Sequence, residues 1–160
     1  MPTNIAEKLV ALLKATGQTC ATAESCTGGG IGAAITSAPG ASDVFLGGII
    51  SYSNTVKHDL LGVKDETLST VGAVSAECAA QMAEGARKVL KADIAVSVTG
   101  IAGPGGGTPE KPVGLVYFGL STAKGTRTEK ALFQGDRARI RELTVTHALG
   151  MLTVAASSPC

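Results

Sequence analysis

Seven residues, Glu24-Ser25-Cys26-Thr27-Gly28-Gly29-Gly30, join two segments of opposite habit near the start of this 160-residue chain. Before them, Thr19-Cys20-Ala21-Thr22-Ala23 reads as a short buried strand; after them, Ile31-Gly32-Ala33-Ala34-Ile35 reads as a helix of small residues. A strand feeding directly into a helix is the repeating step of an α/β protein. The junction also places the Ser25 hydroxyl beside several unpaired backbone N–H groups. Such a corner can hold a nucleophile and an oxyanion hole together. A serine at this place is equally an ordinary helix cap, and the glycines equally a device for tight helix–sheet packing.

The remaining pattern extends the alternation. Asn4 with Glu7 reads as a cap ahead of Ile5, Leu9, Leu12 and Leu13 at helical spacing, and Gly17 ends that helix. The segment 44–53 is apolar and β-prone. Asn54 is expected to cap a short helix to Leu61, and Ser75 a longer one over 76–90. Ile94 to Val98 is a nearly continuous apolar run, the signature of a strand buried on both faces. Segments 113–121 and 127–133 predict a hairpin around Ala123-Lys124-Gly125, and Asp136 caps a last helix to about Ala155. The expected fold is one domain over residues 1–160. It is a three-layer α/β/α sandwich around a mixed, largely parallel sheet.

Composition narrows the function classes. Net charge is +1 with no basic block, which gives no support for nucleic-acid binding. No apolar run approaches the ~20 residues that span a bilayer, and no strongly basic amphipathic helix offers a lipid surface. The first residues lack a signal-peptide pattern, so a cytoplasmic protein is expected. The four cysteines, at 20, 26, 78 and 160, form no Cys-x-x-Cys pair, and only two histidines accompany them. They read as reduced thiols rather than a metal site, and no cofactor is expected. Aromatics make up 3% of the chain, so the core must be built from Ala, Val, Ile and Leu. The alanine-rich helix over 76–86 predicts close helix packing, and a homodimer or higher homo-oligomer is an expectation.

Five motifs then occur in order: Ala23-Glu24-Ser25-Cys26-Thr27-Gly28-Gly29, Ser51-Tyr52-Ser53-Asn54 with Lys57, Gly72-Ala73-Val74-Ser75, Val98-Thr99-Gly100-Ile101-Ala102-Gly103-Pro104, and Lys111-Pro112-Val113-Gly114. Together they resemble the C-terminal domain of the competence/damage-inducible protein CinA, over nearly the whole chain. The resemblance implies an amidase that hydrolyses the carboxamide of nicotinamide mononucleotide to nicotinate mononucleotide and ammonia, in pyridine nucleotide recycling. Longer relatives carry an added N-terminal domain, and this chain resembles the stand-alone form. Two other classes compete. One is a non-catalytic nucleotide-binding or regulatory module; the other is a protein partner in DNA uptake or repair.

With the resemblance, Ser25 is the expected nucleophile and the N–H groups of Cys26, Thr27 and Gly28 are candidate oxyanion donors, with Gly29 allowing close approach of substrate. No histidine lies in these motifs, and the resemblance pairs the serine with Lys57. A lysine of pKa ~10.4 is neutral in only about 1 molecule in 2,500 at pH 7. To act as a base its pKa must fall toward ~7–8, a cost of about 3.5–4 kcal/mol against the charged form. Lys57 is therefore expected to be buried near Ser25. Tyr52 is expected to orient Ser25 or relay a proton. Glu24 is expected to point away from Ser25, by strand alternation, in a structural or substrate-contacting role. Cys26 is the rival nucleophile, since a thiol at a helix N-terminus can have a lowered pKa. Thr99 and Gly100 close a buried strand where ligands of α/β sheets collect. Arg137 and Arg141, four apart on one helix face, are expected to bind a substrate phosphate. His58 and His147 are expected to be structural.

Overall fold

The structure, a computed structural model, describes residues 2–158. Helix α1 (Pro2–Thr16) leads to β1 (Cys20–Glu24) and α2 (Gly30–Thr36). Then come β2 (Phe45–Ile50), α3 (Asn54–Leu61), α4 (Asp65–Thr70) and α5 (Ala76–Leu90). The chain closes with β3 (Ile94–Gly100), β4 (Leu115–Thr122), β5 (Gly125–Leu132) and α6 (Arg137–Ala156). The sheet order is β2-β1-β3-β4-β5. Strand β1 runs parallel to both β2 and β3, while β4 is antiparallel to β3 and to β5. Only β4 is therefore reversed, which makes the sheet mixed but largely parallel.

Period-two alternation divides the central strands between two cores. On one face Leu9 and Leu13 of α1, Ile35 of α2 and Leu149 and Leu152 of α6 pack against Val96, Val98 and Phe118. On the other face Leu61 of α3 and Cys78, Met82 and Ala86 of α5 pack against Ala21, Ala23 and Ala95. The result is a three-layer sandwich with β1 buried throughout and β3 buried up to its last residue.

The small residues of α5 serve contacts inside the chain. Ser97 Oγ on β3 donates to Ala79 O at 2.5 Å, and a Cβ on Gly119 of β4 would fall 2.3 Å from the same carbonyl. Helix α5 thus rides directly on the sheet.

Several boundaries differ from expectation. Helix α1 begins at Pro2, ahead of the Asn4 cap, whose side chain lies outside the described residues, as does Cys160. Ser53, not Asn54, caps α3, its hydroxyl accepting from Val56 N at 3.2 Å. Helix α4 has no counterpart in the reading of the sequence, because Asp-Glu-Thr-Leu-Ser-Thr carries a single large apolar residue and so no periodicity. The Ser75 and Asp136 caps stand as expected. Among the described residues no helix is long and apolar enough to cross a membrane, and no group of three His, Cys, Asp or Glu side chains could hold a metal.

Candidate active site

Strand β1 ends by sending adjacent side chains to opposite faces. Glu24 turns toward α2, where its carboxylate is an internal anchor. Oε1 accepts from Thr27 Oγ1 at 2.6 Å, Gly29 N at 3.1 Å and Ile31 N at 2.9 Å; Oε2 accepts from Gly32 N at 2.9 Å. These bonds satisfy orphan donors at the start of α2, and a buried anion suits that end of a helix. Gly28 (φ 58°) and Gly29 (φ 103°) supply the left-handed backbone that lets the chain curl around the carboxylate. Glu24 thus plays a structural role, with its carboxylate turned away from Ser25.

Ser25 turns the other way, toward α3. Its N–H donates to Val98 O at 3.2 Å, extending the β1–β3 pairing by one residue. Lys57, one turn into α3, reaches back beneath it and is only 1% exposed. Nζ lies 3.0 Å from Ser25 Oγ, 2.7 Å from Ser51 O and 3.0 Å from Tyr52 O. No carboxylate pairs with it among the described residues. Burial pulls its pKa below the ordinary lysine value. In the neutral amine, two N–H bonds go to the two carbonyls and the lone pair faces the serine hydroxyl.

The Ser25–Lys57 pair lines a cleft of about 220 Å³ whose walls include Tyr52, Asn54, Ala73, Val74, Thr99 and Gly100. It sits at the carboxyl ends of β1 and β3, where α/β sheets bind ligands. A larger cavity of about 640 Å³ lies at the opposite end of the sheet, far from this pair in the fold.

The other expected site residues divide. Cys26 lines the cleft, but burial pushes its thiol up to about 11, so helix-terminal activation of a thiolate is not realised. Thr99 borders the cleft while its hydroxyl donates to Ala73 O at 3.0 Å. Thr27 and Gly29 are tied to Glu24, and Gly28 N donates to Ser25 O at 3.1 Å. Gly28 is therefore removed from the oxyanion candidates. Tyr52 is 64% exposed, and its phenol lies 3.5 Å from Arg137 Nη2 rather than on the Ser25–Lys57 pair. Its backbone carbonyl is the part that meets Lys57 Nζ.

Arg137 borders the cleft and donates to Gly103 O at 2.8 Å. Arg141 does not share that place. Its Nε donates to Cys26 O at 3.1 Å and its Nη2 to Thr27 O at 3.0 Å, on the far side of the loop. His147 is structural as expected, half-buried against Phe118 with Nε2 2.8 Å from Glu129 Oε1. Ser51 was missed as a contributor. Its signal was its place beside Tyr52 in the second motif, where the backbone rather than the side chain does the binding.

A family model described as the CinA C-terminal domain matches residues 2–155. The chain belongs to the CinA C-terminal domain family. It is 51% identical to a putative competence-damage inducible protein of Caldanaerobacter subterraneus, over 91% of this chain and 35% of that one. It is 52% identical to a CinA-like protein of Parasynechococcus marenigrum, over 93% of this chain and 36% of that one. The chain thus spans about a third of the length of these curated CinA relatives. Among solved structures, competence/damage inducible protein CihA from Agrobacterium tumefaciens superposes with TM-score 0.95 at 43% identity, covering 98% of this chain and 96% of that one. A CinA superfamily protein from Klebsiella pneumoniae gives TM-score 0.94 at 30% identity, covering 98% of each chain.

Proposed function

We propose that this CinA domain is an amidohydrolase acting on the carboxamide of nicotinamide mononucleotide, with Ser25 as nucleophile and Lys57 as its base. The observation that carries the reading is the 3.0 Å approach of the buried Lys57 Nζ to Ser25 Oγ. Neutral Lys57 takes the hydroxyl proton as Oγ adds to the carboxamide carbon. The resulting oxyanion needs donors. The ammonium of Lys57 returns the proton to the departing amine, ammonia leaves, and an acyl-serine remains. Water, its proton taken by the same amine, then adds to the ester carbon; the bond to Oγ breaks, the ammonium returns the proton to Oγ, and nicotinate mononucleotide leaves. Two carbonyl acceptors hold Nζ in place through both half-reactions. Arg137, on the rim of the cleft, is the cation available to the substrate phosphate.

The test is ammonia release from nicotinamide mononucleotide, with a chelator present, by wild type, Ser25→Ala and Cys26→Ala. Release by wild type and Cys26→Ala but not by Ser25→Ala is expected. Release by Ser25→Ala would move the chemistry to another group. No release by folded wild type would leave a binding or regulatory module.

A further inference from the structure

Arg141 stands outside the cleft, yet it is tied to the loop that carries the nucleophile. Most backbone N–H groups of that loop have an acceptor within the chain. Ser25 N donates to Val98 O, Gly28 N to Ser25 O, Gly30 N to Thr27 O and Ala33 N to Gly29 O. Gly29, Ile31 and Gly32 donate to the Glu24 carboxylate. Within this loop, only the N–H groups of Cys26 and Thr27 meet no protein acceptor among the described residues. Thr27 is almost wholly buried, and unpaired buried donors are rare in folded proteins.

The carbonyls decide where those two donors point. The Cys26–Thr27 peptide is trans, so its C=O and its N–H face opposite ways. Arg141 Nε holds the Cys26 carbonyl at 3.1 Å, which turns the Thr27 N–H away from α6. The Gly28 N–H holds the Ser25 carbonyl at 3.1 Å and fixes the Cys26 N–H in the same manner. Arg141 Nη2 bonds the next carbonyl, Thr27 O, at 3.0 Å, so one planar guanidinium spans two successive peptide units. A charge-assisted bond to a carbonyl also polarises its peptide and strengthens the N–H at the other end.

We infer that Arg141 is a positioning residue for an oxyanion hole formed by the Cys26 and Thr27 N–H groups, rather than a ligand for substrate phosphate. This rests on the proposed serine mechanism. It acts on kcat, because the oxyanion exists only in the transition state and the intermediate.

Arg141→Ala and Arg141→Lys are compared with wild type in three measurements: amide turnover, added guanidinium, and affinity for pyridine-3-boronic acid. The boronic acid bonds through boron to Ser25 Oγ, the hydroxyl proton passes to Lys57, and the adduct becomes a tetrahedral anion. For Arg141→Ala a kcat loss of about 10²-fold is expected with little change in KM, the magnitude of losing one oxyanion donor. Boronate affinity is expected to fall at least tenfold. Guanidinium is expected to restore part of kcat. Arg141→Lys keeps the charge but cannot span both carbonyls, and should fall between the two. Wild-type kcat and boronate affinity in folded Arg141→Ala, or a KM rise confined to phosphorylated substrate, would overturn the assignment. Absence of any Ser25 boronate adduct in wild type would instead bring down the serine mechanism beneath it.

Discussion

Replacing Glu24 by glutamine tests whether a buried charge holds the loop that carries Ser25. The amide oxygen can take the place of Oε1 and keep the bonds from Thr27, Gly29 and Ile31. Each then changes from a charge-assisted to a neutral bond, a loss of about 1 kcal/mol apiece. The amide NH₂ takes the place of Oε2 and meets the Gly32 N–H, leaving one buried donor unsatisfied at about 1–3 kcal/mol. Against this, the variant no longer desolvates a charge, and Glu24 is only 2% exposed. The bonds should win because three backbone donors of one helix start converge on the carboxylate. A net loss of at least about 2 kcal/mol is expected, lowering Tm by at least ~4–8 °C for a chain of this size. Urea titration at neutral pH reads the free energy and calorimetry the Tm. A Glu24→Gln variant within about 0.5 kcal/mol of wild type would refute the reasoning, because the oriented donors would then contribute no more than solvation of the charge costs.

Two further outcomes follow from the cations. Lys57 has its pKa lowered by burial in the fold, so between that value and the unfolded ~10.4 the unfolded chain binds the extra proton and stability rises with pH. Urea midpoints should therefore climb on the alkaline side of neutrality for wild type and lose that slope in Lys57→Met, while wild-type kcat/KM rises over the same window; parallel slopes in the two proteins would contradict a depressed Lys57. Arg137→Ala should raise KM for nicotinamide mononucleotide by about 10-fold or more, the value of one charge-assisted bond, and leave KM for a non-phosphorylated pyridine carboxamide near that of wild type. Equal effects on both substrates would dismiss the phosphate contact.

The fold was legible because its strongest signals are periodic. The apolar run 94–98 and the strand before Ser25 could only be central strands, and the caps at Ser75 and Asp136 announced their helices. The site was legible in part. Ser25 and Lys57 meet through their side chains, so residue type marked them. Backbone roles left no such mark. Tyr52 and Ser51 enter through carbonyl oxygens, which every residue has. Arg141 lies four residues from Arg137 on the same helix, and the spacing alone gave both one task. What separates them is the distance each has to travel across α6. Arg137, in the first turn, meets Gly103 at the cleft, while Arg141, one turn on, meets the back of the loop.

Strand geometry explains why the anchor Glu24 and Ser25 are sequence neighbours. Adjacent residues on a strand face opposite layers, so Glu24 can bind α2 while Ser25 faces α3. Placing the anchor one residue away fixes the turn at its root, since the carbonyl of Glu24 also accepts from Ser51 N at 2.7 Å. Ser51 in turn offers its own carbonyl to Lys57. Ser25, Lys57 and the loop are thus referenced to the same end of β1, and a shift of that strand end would move all three together. Arg141 is a support that arrives from much farther along, from a helix more than a hundred residues later in the chain. The loop geometry therefore depends on α6 being docked, and a fold with its sheet formed but α6 loose would hold Ser25 against Lys57 while the Cys26 and Thr27 carbonyls lost their Arg141 contacts.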